Sequence, residues 1–191
     1  MRVDEEGYLS DVQLISSPNC DDRPPGNEIS LLVIHNISMP PDIFEGDGVI
    51  DLFTNQVNPN VSYYETIRGL RVSAHFFVRR NGEIIQFVSC GKRAWHAGES
   101  YWKGKVCCND FSIGVEMEGS DTTPFTDSQY IALVALTMEL SKIYPIADII
   151  GHSDIAPKRK TDPGPYFDWS HFQEALDLAK LREGEQWFPK K

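Results

Sequence analysis

The chain has 191 residues, 41% hydrophobic, 24% charged and 11% aromatic, which supports one packed domain and excludes disorder as the default state. Its formal net charge of −10 argues against a phosphate backbone or an anionic membrane surface as the main partner, because both demand a basic face. A small soluble ligand suits that charge better.

The N-terminus, "MRVDEEGYLSDVQLI", has no basic segment followed by an apolar run, and no stretch reaches the ~20 apolar residues of a membrane span. Cys20, Cys90, Cys107 and Cys108 form no CxxC pair and read as reduced thiols. A cytoplasmic protein is expected. Residues 16–27, "SSPNCDDRPPGN", read as a polar loop. "ISLLVIH" (29–35) is an almost uninterrupted apolar run, predicting a strand buried on both faces and ending at His35. Segment 39–66 is loop-rich, with a short helix near "GVIDLFTN".

In "SAHFFVRRNGEIIQFVS" (73–89) two β-rich runs flank Asn81-Gly82, the signature of a two-residue hairpin turn. "FSIGVEME" (111–118) alternates, with Phe111, Ile113, Val115 and Met117 facing one way and Ser112, Gly114, Glu116 and Glu118 the other. Residues 126–144 carry apolar side chains at helical spacing, and Thr126 with Gln129 makes a capping box. "ADII" (147–150) predicts a strand. "DWSHFQEALDLAKL" (168–181) predicts a helix capped by Asp168 and stopped by Gly184. The fold class is α+β, a single domain over 1–191 with a central mixed sheet flanked by helices and a catalytic core at about 29–181.

Two histidines stand at strand ends, His35 and His152, and "GHSDIAPKRKTDPGP" returns Asp162 after a proline-stiffened loop. Two imidazoles and one carboxylate make a catalytic zinc set with a fourth position for water. Each histidine taken alone is more often a hydrogen-bonded structural group than a ligand, and Asp162 before a proline also reads as a turn starter, so spacing alone makes the three-ligand set the minority reading. Lys158 and Arg159 read as a solvated turn. Lys160, if it points inward, is placed to stabilise an oxyanion. A hydrolytic site needs a base, and Glu116 and Glu118 share one strand face, so alternation does not choose between them. His75 and His96 are polar candidates that serve equally as hydrogen-bonded core, and His171 reads as structural or exposed.

Five segments carry a resemblance: "LLVIHNISMPP", "LRVSAHFFVRRNGEIIQFV", "KRAWHAGES", "CNDFSIGVEMEG" and "GHSDIAPKRKTDPGPYFDW". Together they resemble the type 2 N-acetylmuramoyl-L-alanine amidases, whose superfamily includes phage amidases and peptidoglycan-recognition proteins. They lie closest to the cytosolic branch acting on 1,6-anhydro-N-acetylmuramyl-L-alanine. The resemblance implies Zn2+ held by His35, His152 and Asp162, Glu116 as the catalytic base and Lys160 as the transition-state stabiliser. It also implies substrate contacts at Asn36, Arg71, Trp95 and His96. Relatives with Tyr before the histidine of "SAHFF" and Cys at the third ligand position differ from Ala74 and Asp162 here, which favours the branch using Glu116. The implied substrate is a small soluble muropeptide of cell-wall recycling, cut by a monomer without nucleic-acid or membrane partners. The alternative is a non-catalytic peptidoglycan-fragment binding module on the same fold.

Overall fold

A computed structural model describes residues 1–186. Its strands are β1 (Gln13–Leu14), β2 (Cys20–Asp22), β3 (Leu31–Ile37), β4 (Phe76–Val78), β5 (Ile84–Gln86), β6 (Lys92–Ala94), β7 (Tyr101–Trp102), β8 (Lys105–Val106), β9 (Ser112–Glu118) and β10 (Asp148–Gly151). The helices are α1 (Gly48–Phe53), α2 (Ser62–Glu65), α3 (Asp127–Ile143), α4 (His152–Ile155) and α5 (Trp169–Gln186).

The apolar runs form the middle of a six-stranded sheet of order β1-β5-β4-β9-β3-β10, in which only the β4–β5 pair is antiparallel. The expected mixed sheet flanked by helices is what forms. On one face Leu32, Ile34, Phe76, Val78, Ile113, Val115 and Met117 pack with Leu133, Leu136 and Leu140 of α3 and Phe172 and Leu176 of α5. On the other, Phe77, Ile85 and Phe87 pack with Leu52 and Phe53 of α1, while Leu31 and Val33 pack with Ala97, Phe111 and Ile155. Because both faces are covered, all seven residues of β9 are buried. Phe111 precedes the strand and packs on the face opposite Ile113, so it leaves the alternation predicted for it.

Local chemistry explains the element ends. Thr126 Oγ1 accepts from Gln129 N–H (3.2 Å) and Gln129 Oε1 accepts from Thr126 N–H (3.1 Å), closing the capping box of α3. Asp168 Oδ1 accepts from His171 N–H at the start of α5. Gly184 does not stop this helix, which runs on to Gln186. Having no Cβ costs a helix only about 1 kcal/mol, less than the packed rows before it supply.

Strand β3 continues two residues past His35, because in-register pairing with β9 reaches Ile37 and Glu118. The hairpin uses a three-residue loop. Gly82 alone takes positive φ (86°), and its N–H donates to Arg79 C=O, a turn followed by a bulge glycine, unlike a two-residue turn that needs two such residues. The polar loop at 16–27 contains β2, which pairs with β6. Polar side chains fix that pairing, as Arg93 grips Asp21 and Asp110.

All four cysteines are free. Among the described residues no helix is long and apolar enough to cross a membrane.

Phe172, 1% exposed, is the largest side chain α5 inserts under the sheet. Phe172→Ala is expected to destabilise the fold by ~3–5 kcal/mol, read as a lower urea midpoint at an unchanged slope.

Candidate metal centre and active site

Parallel, in-register pairing builds the site. Gly151 of β10 stands beside Ile34 of β3, and His35 stands beside Glu116 of β9. His152, the next residue after Gly151, therefore continues the row, giving His152, His35 and Glu116 side by side on the sheet face opposite α3 and α5. Directly paired residues of a sheet project to the same side. Asp162 reaches the row from the following loop. Gly151 allows this, since a Cβ there would lie 2.7 Å from Pro163 Cδ, and Ser153 N–H donates to the Asp162 carbonyl at 2.9 Å.

Three atoms meet. His35 Nδ1 and His152 Nδ1 are 2.9 Å apart, and each lies 3.0 Å from Asp162 Oδ2. The centre of such a triangle is about 1.7 Å from each corner, inside the ~2.0–2.2 Å of metal–imidazole and metal–carboxylate bonds. The three atoms are thus close enough together for one ion to be within bonding reach of all of them.

The donor chemistry fits as well. His152 Nε2 lies 3.0 Å from the Ala97 carbonyl oxygen, a pure acceptor, so Nε2 carries the ring hydrogen and Nδ1 offers its lone pair inward. Burial pushes the pKa of His35 down to about 4, keeping it a neutral imidazole. Burial pushes Asp162 up, but hydrogen bonds with His152 and His35 outweigh it and hold the carboxyl well below the usual range. Neutral imidazoles and a carboxylate are the forms that bind divalent metals.

Beside this triangle Glu116 is 9% exposed, and its Oε2 has no hydrogen-bond partner among the described residues. Burial and the Asp162 charge push its pKa well above the ordinary value, while Lys160 pulls it back. A carboxylate with a raised pKa and a free oxygen is suited to taking and returning a proton. Lys160, half-buried, is near enough for its charge to act on both Glu116 and His35. Glu116 and Lys160 line a cleft of about 230 Å³ with His152, Asp162, Asn36, Trp95, His96 and an apolar wall that includes Met39, Tyr63 and Leu70.

The structure thus gathers His152, Asp162, Glu116 and Lys160 in one cleft, with the buried His35 against His152 and Asp162 and with Asn36, Trp95 and His96 on the cleft walls. Asn36 Nδ2 donates to Asp121 and Trp95 Nε1 to Asp21. His96 has both ring nitrogens engaged, with His35 (3.0 Å) and with Ser112 (3.2 Å). Arg71 is exposed, donates to Asn55, and is not among the residues lining the cleft. Glu118 sits two residues further along β9, where its carboxylate accepts from Arg80 N–H. His75 accepts from Gly114 N–H and also meets Lys92 O and Arg23 within the core. His171 is exposed with its ring edge on Tyr130.

Sequence reasoning missed Arg159. It is no simple solvated turn, because its guanidinium donates to Ala97 O (2.6 Å) and Glu99 O (2.8 Å), gripping the carbonyl that holds His152. Its spacing from Ala97 gave no signal. Ser112 and Gly114 did leave one, as small residues on the same strand face as Glu116.

The N-acetylmuramoyl-L-alanine amidase family pattern matches residues 25–165. The chain is 51% identical over 182 residues to the 1,6-anhydro-N-acetylmuramyl-L-alanine amidase AmpD of Enterobacter cloacae, covering 94% of this chain and 97% of that one. The Escherichia coli K12 AmpD is 49% identical over 172 residues, 88% and 94% of the two chains. A crystal structure of a selenomethionine AmpD derivative superposes with a TM-score of 0.88 at 52% identity, covering 92% of this chain and 99% of that one. The E. coli amidase AmiD, in complex with anhydro-N-acetylmuramic acid-L-Ala-D-γ-Glu-L-Lys, superposes at TM-score 0.56 and 31% identity, covering 90% and 64%. With the family pattern spanning most of its length and AmpD proteins matching nearly all of it, the chain belongs to the N-acetylmuramoyl-L-alanine amidase family.

Proposed function

We propose that this protein is a zinc-dependent, cytoplasmic, monomeric amidase. It hydrolyses the lactyl amide between 1,6-anhydro-N-acetylmuramic acid and L-alanine in soluble muropeptides of cell-wall recycling. The observation that carries the reading is the convergence of His35, His152 and Asp162 beside a buried Glu116 with an unpaired oxygen. The substrate is supported by the AmpD proteins that match nearly the whole chain, and an acidic net charge suits a small soluble substrate.

His35, His152 and Asp162 hold the zinc ion. When bound, zinc polarises the amide carbonyl and lowers the pKa of water. Glu116 removes the proton from the attacking water and holds it on its carboxyl. It then delivers that proton to the L-alanine nitrogen as the C–N bond breaks, so acid and base are one group used twice. The Lys160 ammonium faces the carbonyl oxygen on which negative charge grows and stabilises it more in the transition state than in the ground state. Asn36 and Trp95 form the walls against which the substrate is oriented. The products are a free muramyl acid and a free peptide.

Glu116→Gln removes the proton carrier and is expected to lower kcat by ~10²–10⁴, measured as peptide released from anhydro-muramyl-tripeptide, with zinc stoichiometry unchanged. The same variant changes the pH response of the metal-free protein. The folded-state pKa of Glu116 is raised, so its contribution to stability is lost as pH rises from the ordinary carboxylate range through the raised value. Glu116→Gln should melt higher than wild type at pH 8, by about 2–4 °C for each kcal/mol relieved, and near wild type at pH 4. Lys160→Met is expected to lower kcat by ~10²–10³ with KM changed far less, checked by steady-state kinetics on the same substrate.

A further inference from the structure

His96 stands one layer behind the donor triangle, 8% exposed. Its Nδ1 lies 3.0 Å from His35 Nε2, and its Nε2 lies 3.2 Å from Ser112 Oγ, which itself lies 2.6 Å from the Cys108 carbonyl oxygen. Hydrogens can be placed along this chain from its far end. A carbonyl oxygen only accepts, so the Ser112 hydroxyl hydrogen points at Cys108. Ser112 Oγ is then an acceptor toward the imidazole, and His96 Nε2 carries a hydrogen. A buried ring without a carboxylate partner stays neutral, so His96 Nδ1 is bare and accepts from His35 Nε2–H. One hydrogen per neutral ring leaves His35 Nδ1 bare. That bare nitrogen faces His152 Nδ1 and Asp162 Oδ2.

We propose that His96 is a positioning residue for the metal centre. Through the Cys108–Ser112 relay it fixes the tautomer of His35 and aims the His35 Nδ1 lone pair at the ion. The proposal rests on the metal reading given above.

Two independent features agree with it. A Cβ on Gly114 would lie 2.5 Å from His96 Cγ, so β9 carries a bare backbone where the ring must lie. The next residue, Ala97, holds His152 through its carbonyl, and Arg159 pins that carbonyl. One dipeptide, 96–97, thus orients both metal-binding imidazoles. A carbonyl partner such as Ala97's can only accept, whereas an imidazole partner such as His96 can present either tautomer. Only the Ser112 relay makes His96 a dedicated acceptor.

The test uses the full chain as wild type, His96→Leu, His96→Gln and Ser112→Ala, each checked for folding by circular dichroism. Zinc affinity is measured by competition with a chromophoric chelator, and ring-nitrogen tautomers by 15N NMR of the metal-free protein. His96→Leu is expected to weaken zinc binding by ~10–100-fold. His96→Gln should recover most of that loss, because its carboxamide oxygen accepts from His35 while its N–H donates to Ser112. Ser112→Ala should weaken binding by less than His96→Leu and turn the single Nε2–H form of His35 into a tautomer mixture. A folded His96→Leu that binds zinc as tightly as wild type overturns the proposal alone, as does a wild-type His35 carrying its hydrogen on Nδ1. Wild-type protein that takes up no zinc overturns the metal reading and the proposal together. If His96→Leu does not fold, the Ser112→Ala affinity and the wild-type spectrum decide.

Discussion

Three parallel strands pair so that Gly151 lies beside Ile34 and His35 lies beside Glu116. A slip of one residue in either pairing would turn a whole strand over, sending its site residue into the apolar layer beneath α3 and α5 and Ile34 or Val115 into the cleft. The hydrophobic core therefore sets the register of the chemistry. Leu32, Ile34, Ile113 and Val115 are each fully buried on the helix face, and their burial, worth ~1.5–3 kcal/mol each, opposes any slip. The site residues contribute little to this choice, and the helix-facing layer can hold them in an arrangement that would be unfavourable on its own.

That arrangement is electrostatically expensive. Two carboxylates, Asp162 and Glu116, sit in one buried region, and burial with the neighbouring negative charge pushes the Glu116 pKa up. The imidazoles meet nitrogen to nitrogen at 2.9 Å. A divalent cation at their common point, as proposed above, would remove the conflict by taking three facing electron-pair donors as ligands, with Lys160 as a second positive charge beside them. The cations of the 158–160 run then separate by role. Lys158 is exposed, Arg159 holds the backbone that orients His152, and Lys160 faces the cleft.

Much of this was legible in the sequence where a periodic pattern or a local hydrogen bond fixes the structure. The buried run before His35, the capping box at Thr126 and Gln129, and the Asp168 cap all correspond to observed elements. The grouping of His35, His152 and Asp162 as metal ligands is a minority reading from spacing alone and gains its specificity from the five matching segments, while the structure brings the three side chains together. The misses share a physical cause, which is dependence on partners far along the chain. β2 forms because Asp21 finds Arg93 and Trp95, more than 70 residues away, and "CDD" has no strand signature of its own. The polar side of β9 resembles a solvent face in the pattern, yet Ser112 and Gly114 are polar or small because His96 lies over them. Arg71 matched by likeness but stands outside the cleft, held by Asn55.

The account turns on two histidines and one aspartate sharing a single zinc ion, and X-ray absorption at the zinc edge of protein loaded with one equivalent reads this most directly. It should give imidazole scattering and only nitrogen or oxygen neighbours at ~2.0–2.2 Å, with the imidazole signal reduced in His35→Ala. Sulfur neighbours at ~2.3 Å, pointing to the free cysteines, or a spectrum without imidazole would contradict it.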